Sequence, residues 1–146
     1  MIDLGTALHL LVDHLLWPVI ACLFALMAAV LLDMGIALGE GFGGLRRAAA
    51  RSPRRLEALA RKRIGRADMA ARVGPTLGLM GTLIPLGPGI AAMGRGDFAT
   101  LAEAVATAFD TTVLGLLIGL AGYLIGRWRR VAYDAALNAL EAAARA

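Results

Sequence analysis

The chain has 146 residues, with Lys+Arg 15, Asp+Glu 11 and a formal net charge of +4. Its residues are 59% hydrophobic and 18% charged, against about 45–50% and about 25% in ordinary soluble domains, and the 18 glycines make up about 12% of it where about 7% is usual. This composition excludes disorder and a collagen-like repeat, and it argues against a lone soluble domain.

Residues 1–14 carry Asp3 and Asp13 and no Lys or Arg. The apolar run that follows is therefore expected to be a membrane span and not a secretory signal, whose first region is basic. His9 and His14 have too few companions for a metal site and are expected at an interface. Leu15 to Leu32 hold no charge, and residues 15–39 are read as the first transmembrane helix. Cys22 stands alone there, so no disulfide framework exists. Residues 40–72 form a basic loop. Within it, Ser52-Pro53 reads as a cap followed by proline at the first helical position. Leu56, Leu59, Ile64 and Ala67 then recur at helical spacing, which predicts an amphipathic helix leading into the second span. That second transmembrane helix is placed at residues 73–93, an outside loop at 94–103, the third transmembrane helix at 104–126 and a helical tail at 127–146. In the tail, Tyr133, Leu137, Leu140 and Ala144 form an apolar stripe available to a neighbour. A bilayer core of about 30 Å takes about 20 helical residues at 1.5 Å each, and all three segments reach that length, the third only by including Asp110.

Ten of the 15 Lys and Arg residues lie between the first and second spans, four follow the third, one (Arg95) lies in the 94–103 loop and none precedes the first. The positive-inside rule then puts the N-terminus outside and the basic loop and C-terminus in the cytoplasm. The arginines flank spans without interleaved aromatics or a nucleic-acid reader motif. Anionic lipid, not nucleic acid, is thus the expected partner of this charge, with Arg127, Arg129 and Arg130 as membrane-surface anchors.

The second and third spans are richer in glycine than simple anchors need. Gly78 and Gly81 in one, and Gly115, Gly119 and Gly122 in the other, provide the small residues that let helix backbones approach closely in lipid. Three spans cannot enclose a pathway, so a homo-oligomer is inferred. Pro85 and Pro88 are expected to break the second span, either lining a cavity or kinking it near the outer surface. Thr82, Thr111 and Thr112 are among the few hydroxyls within the spans. Asp110 either faces a pathway or caps a helix beginning at Thr111. There is no phosphate-cradling loop, nucleophile elbow, cysteine pair or metal constellation, so neither catalysis nor a cofactor is expected.

Gly74–Leu83, GPTLGLMGTL, resembles the start of the second span in the MotA/TolQ/ExbB proton-channel family, and Ala102–Leu120, AEAVATAFDTTVLGLLIGL, resembles its third span. The order of features is similar too: outside N-terminus, span, basic cytoplasmic segment, paired spans, helical tail. The resemblance implies an all-α membrane protein assembled as a pentameric ring in the inner membrane. A single-span partner of the ExbD/TolR type would sit in the pore, and protons would cross by way of an aspartate on that partner. Thr82 and Thr112 match the family's pore-facing threonines. The glutamate that relatives carry five residues before the third-span threonine falls at Thr107, which is not acidic, and the cytoplasmic segment is short. Two other readings stand beside this one: a small transporter or channel working without a partner, and a membrane scaffold whose glycine seams only assemble a complex.

Overall fold

A computed structural model describes residues 4–39 and 53–145. The Ser52 cap and the first part of the basic loop lie outside the described residues, as do the side chains of His9, Leu56, Leu140 and Ala144. The described chain is three helices: α1, Leu4–Gly39; α2, Pro53–Met93; and α3, Phe98–Arg145. With 36, 41 and 48 residues, they run about 54, 62 and 72 Å at 1.5 Å per residue. All three are long and apolar enough to cross a membrane, and each exceeds the roughly 30 Å apolar core of a bilayer.

The amphipathic segment at Pro53 and the second span are one uninterrupted helix, and α3 likewise runs from its span into the tail. Pro75, Pro85 and Pro88 all lie inside α2, so the expectation that Pro85 and Pro88 break the span is corrected. A proline removes one amide donor, but its fixed φ near −65° is itself helical, and packing carries the helix through.

The α2–α3 connection is tight. Gly96 sits at φ 81°, in the left-handed region open to glycine. Its amide donates to Met93 O at 2.9 Å, and the Asp97 amide donates to Ala92 O at 3.1 Å. This pair of bonds closes α2 with a Schellman motif. Asp97 then caps α3, its Oδ1 accepting from the Thr100 amide at 3.1 Å and its Oδ2 from the Thr100 hydroxyl at 2.6 Å. The hydroxyl bond, then the amide bond, holds the Asp97 carboxyl below the usual carboxylate range. Because the folded pKa is depressed, the capping contribution is present above the ordinary carboxylate pKa and is lost as pH falls.

The chain divides into two compact units, Met1–Met27 with Val73–Gly119 and Ala28–Arg72 with Leu120–Ala146. In the first, α2 and α3 meet along a seam of small residues. A Cβ on Gly74 would lie 2.8 Å from Ile118 Cγ2 and 2.9 Å from Gly115 O, and one on Gly78 would lie 3.1 Å from Gly115 Cα. Gly119 presents its amide nitrogen to the same place on Gly74, 3.0 Å away. In the second unit a Cβ on Gly122 would lie 2.8 Å from the Ala71 nitrogen and 2.9 Å from Ala67 O. Tyr133 packs there against Ala60, with Ile64, Ala136 and Leu137 around them. Large apolar side chains such as Trp17, Phe24, Leu83, Phe109 and Val113 are exposed, as helices facing lipid or further subunits require.

The seam yields a direct test. At Gly115 an added Cβ would sit 2.6 Å from Gly74 O and 2.7 Å from Gly78 Cα, both backbone atoms, whereas at Gly65 it meets nothing within 4 Å. Gly115→Ala should lower stability by about 1–3 kcal/mol through overpacking. Gly65→Ala, in a helix interior, should raise it by about 0.5–1 kcal/mol. Thermal unfolding of the purified protein in detergent, followed by circular dichroism, reads both signs.

Candidate functional site

The first unit holds a cluster of hydroxyls where the glycine seam brings α2 and α3 together. Thr82 on α2 and Thr112 on α3 are hydrogen-bonded to each other through their hydroxyls. The Thr82 hydroxyl also lies 3.0 Å from Gly78 O and 3.3 Å from Ala108 O. Thr112 Oγ1 donates to Ala108 O at 2.9 Å. Thr111 turns into the seam, where its Oγ1 reaches Thr107 O at 2.9 Å and Ala108 O at 3.1 Å. It is buried against Gly81, whose absent side chain leaves it room: a Cβ there would sit 2.7 Å from Thr111 Cβ.

Counting protons limits what this cluster does. Each hydroxyl has one proton to donate and can accept as well. Thr111 can give its proton to Thr107 O and Thr112 to Ala108 O, after which the Thr82 proton has Gly78 O, Ala108 O and the Thr112 oxygen to choose between. Rotation of one O–H bond exchanges these arrangements. A hydroxyl that can turn in this way is able to accept a hydrogen bond on one side and donate one on the other.

Asp110 is not part of this cluster. It lies on an exposed turn of α3, two residues before Thr112 and so about 200° from it around the helix. Nor does it cap a helix starting at Thr111, because α3 begins at Phe98 and Asp97 is its cap. Glu103, also exposed, and Thr107 precede Asp110 on nearly the same face, at i−7 and i−3.

A second polar cluster belongs to the second unit, and local sequence pattern carries little sign of it. Arg129 is fully buried, at 0% exposure. Its Nη1 donates to Arg63 O at 3.2 Å and its Nη2 to Asp33 O at 3.1 Å, and Nη1 lies 3.7 Å from the Asp33 carboxylate. Asp33 also accepts from Arg66 at 2.6 Å. Arg63 reaches the Tyr133 hydroxyl at 3.3 Å. Side chains from all three helices thus share one charge. The expectation that Arg129 anchors the membrane surface is corrected: a guanidinium shut away from solvent and bonded to two other helices cannot meet lipid headgroups. Arg127 and Arg130 are exposed, and Arg130 is paired with Asp68. The signal for this cluster was Asp33, the lone charge ending the first apolar run, but its partners lie 33 and 96 residues away, beyond any periodicity.

Three membrane-length helices with a glycine seam and a hydroxyl pair define a multi-pass membrane protein built for close helix packing. The sequence profile of the MotA/TolQ/ExbB proton channel family matches residues 25–142, and the chain belongs to that family, which is one of transport and not of enzymes. No curated protein and no solved structure matches the chain.

Removing one member of a buried ion pair strands the other. Asp33→Leu should therefore destabilise the protein by about 3–5 kcal/mol, and the double variant Asp33→Leu/Arg129→Leu should recover most of that. Arg66, whose side chain is 47% exposed, should matter little, with Arg66→Ala costing about 1 kcal/mol or less. Unfolding midpoints of the four proteins in one detergent give the comparison.

Proposed function

We propose that the chain is the ring-forming subunit of a proton-motive-force-driven motor in the cytoplasmic (inner) membrane. Copies assemble as a homopentamer around a central pore. Protons cross there together with a single-span partner of the ExbD/TolR type, and their flux drives rotation, or work on an envelope process. Membership of a proton channel family supports conduction. The distribution of Lys and Arg supports an outside N-terminus and a cytoplasmic C-terminus, and the exposed Arg127 and Arg130 suit contact with anionic lipid. Asp110 supports assembly: a carboxylate exposed on a spanning helix costs on the order of 3 kcal/mol in lipid, a cost relieved when a neighbouring subunit covers it or a proton neutralises it.

The observation that carries the reading is the Thr82–Thr112 pair, one hydroxyl from each of two adjacent spans, bonded to each other. The Thr82 hydroxyl has Gly78 O, Ala108 O and Thr112 within hydrogen-bond reach. It can therefore take a proton from water or from the partner's carboxyl group on one side and release one on the other. The driving force is about 2.3 kcal/mol per charge per 100 mV, enough to bias a step in which proton occupancy changes the partner's preferred seat. No cofactor enters this mechanism. The completeness of the hydroxyl bonding favours one other reading, a scaffold in which the pair serves only packing.

Proton uptake by vesicles containing the purified complex separates the two. Under the conduction reading, Thr82→Val and Thr112→Val each lower the flux about tenfold, the rate equivalent of one lost hydrogen bond. Thr82→Ser, which keeps the hydroxyl, stays close to the parent, and the ring mass does not change. Undiminished flux in both valine variants favours the scaffold. A particle mass corresponding to a lone subunit sinks both.

A further inference from the structure

Pro85 and Pro88 lie within a continuous α2, and neither has an amide hydrogen. The carbonyls four residues earlier, Gly81 O and Ile84 O, thereby lose the donor that every other turn of a helix supplies. Both residues are buried, as is Pro85. The nearest hydroxyls do not fill the gap: those of Thr82, Thr111 and Thr112 are given to Gly78 O, Thr107 O, Ala108 O and one another. In an apolar membrane interior an acceptor left without a donor is costly, and such breaks persist where water or a neighbouring group supplies the bond. Helix carbonyls point towards the C-terminal end. These two therefore point from the turn of Thr82 towards Met93 and the α2–α3 connection. Three residues apart, they are separated by about 4.5 Å along the axis, within the reach of one water making two hydrogen bonds of about 2.8 Å.

We propose that Gly81 O and Ile84 O, freed by Pro85 and Pro88, hold water and form a hydrated step that joins the Thr82–Thr112 pair to the outer side of the membrane. The step consists of acceptors alone. It stabilises a proton carried on water and disfavours an anion, so it acts as a cation-selecting entry to the hydroxyl pair. This inference rests on the conduction reading and adds residues to its pathway. It also gives the two prolines a role that a kink alone does not.

The test restores the missing donors. Pro85→Ala and Pro88→Ala put an amide hydrogen back opposite Gly81 O and Ile84 O, and alanine is the best helix former, so neither variant threatens folding. A third protein carries lactic acid at position 88 in place of that alanine. Its ester oxygen removes the ring but again offers no hydrogen to Ile84 O, and the carbonyl it weakens is that of Gly87, outside the step. Proton flux is measured in vesicles containing the complex purified from its own membrane, beside Thr82→Val. The alanine variants should each lower the flux at least about fivefold, as expected for the loss of one hydrogen-bonded water position, and the lactic acid protein should keep nearly the parent flux. Equal loss in the alanine and lactic acid proteins would overturn the inference, because the ring and not the open carbonyl would then matter. Parent-like flux in both alanine variants, with flux lost in Thr82→Val, overturns it while leaving the conduction reading intact. Flux retained in Thr82→Val removes the conduction reading, and the hydrated step with it.

Discussion

The close approach of two backbones governs the first unit. Where Gly74, Gly78 and Gly115 meet, a single added carbon would lie within about 3 Å of main-chain atoms, so the α2–α3 separation is set by the absence of side chains. The same seam fixes rotation. Thr111 enters the space that Gly81 leaves, and with Thr111 turned inward, Thr112 must project about 100° further around α3, where it meets Thr82. Asp110, on the other side of Thr111, is turned away by the same amount. One packing constraint thereby decides which of three consecutive polar residues joins the hydroxyl pair. In lipid, where apolar burial no longer drives helices together, this dependence on small residues is the expected solution.

Each unit meets the cost of buried polarity differently. The first uses neutral groups: hydroxyls returned to carbonyls of their own or the adjacent helix, which satisfy themselves without charge. The second uses full charges, with Arg129 distributed over a carboxylate and two main-chain carbonyls from the other two helices. A buried ion pair is weak evidence of net stability, since desolvation opposes the attraction. Its geometric demands are strict, however, because a guanidinium presents its donors in a fixed fork. The cluster therefore serves to set the register of three helices more than to add to their stability.

Much of this architecture was legible in the sequence. Apolar runs of membrane length mark three helices, glycine spacing marks the face along which two of them pack, and the threonines in GLMGT and FDTT mark the polar spot. What periodicity could not supply was pairing at long range. Arg129 looked like its neighbours Arg127 and Arg130 in a basic stretch after a span, and only the position of Asp33, 96 residues earlier, distinguishes it. Likewise, the sequence alone leaves Asp110 between a pathway and a helix cap, because local spacing does not locate the start of α3. The Schellman closure at Gly96 and the Asp97 cap move that start to Phe98, which leaves Asp110 in a helix interior where no cap is needed.

The prolines show why local rules misjudge continuity. In water, an interior proline costs a helix about 3 kcal/mol, partly through the lost hydrogen bond, and a break exposes backbone that solvent can satisfy. In lipid a broken helix would expose still more unsatisfied backbone, so the balance shifts towards keeping the helix and leaving only the carbonyls that its prolines free. Continuity of α2 through Pro85 and Pro88 is thus what the membrane favours. Around Pro85 and Pro88 the polarity it leaves behind is that of Gly81 O and Ile84 O, close in sequence to Thr82, the hydroxyl that α2 contributes to the pair with α3.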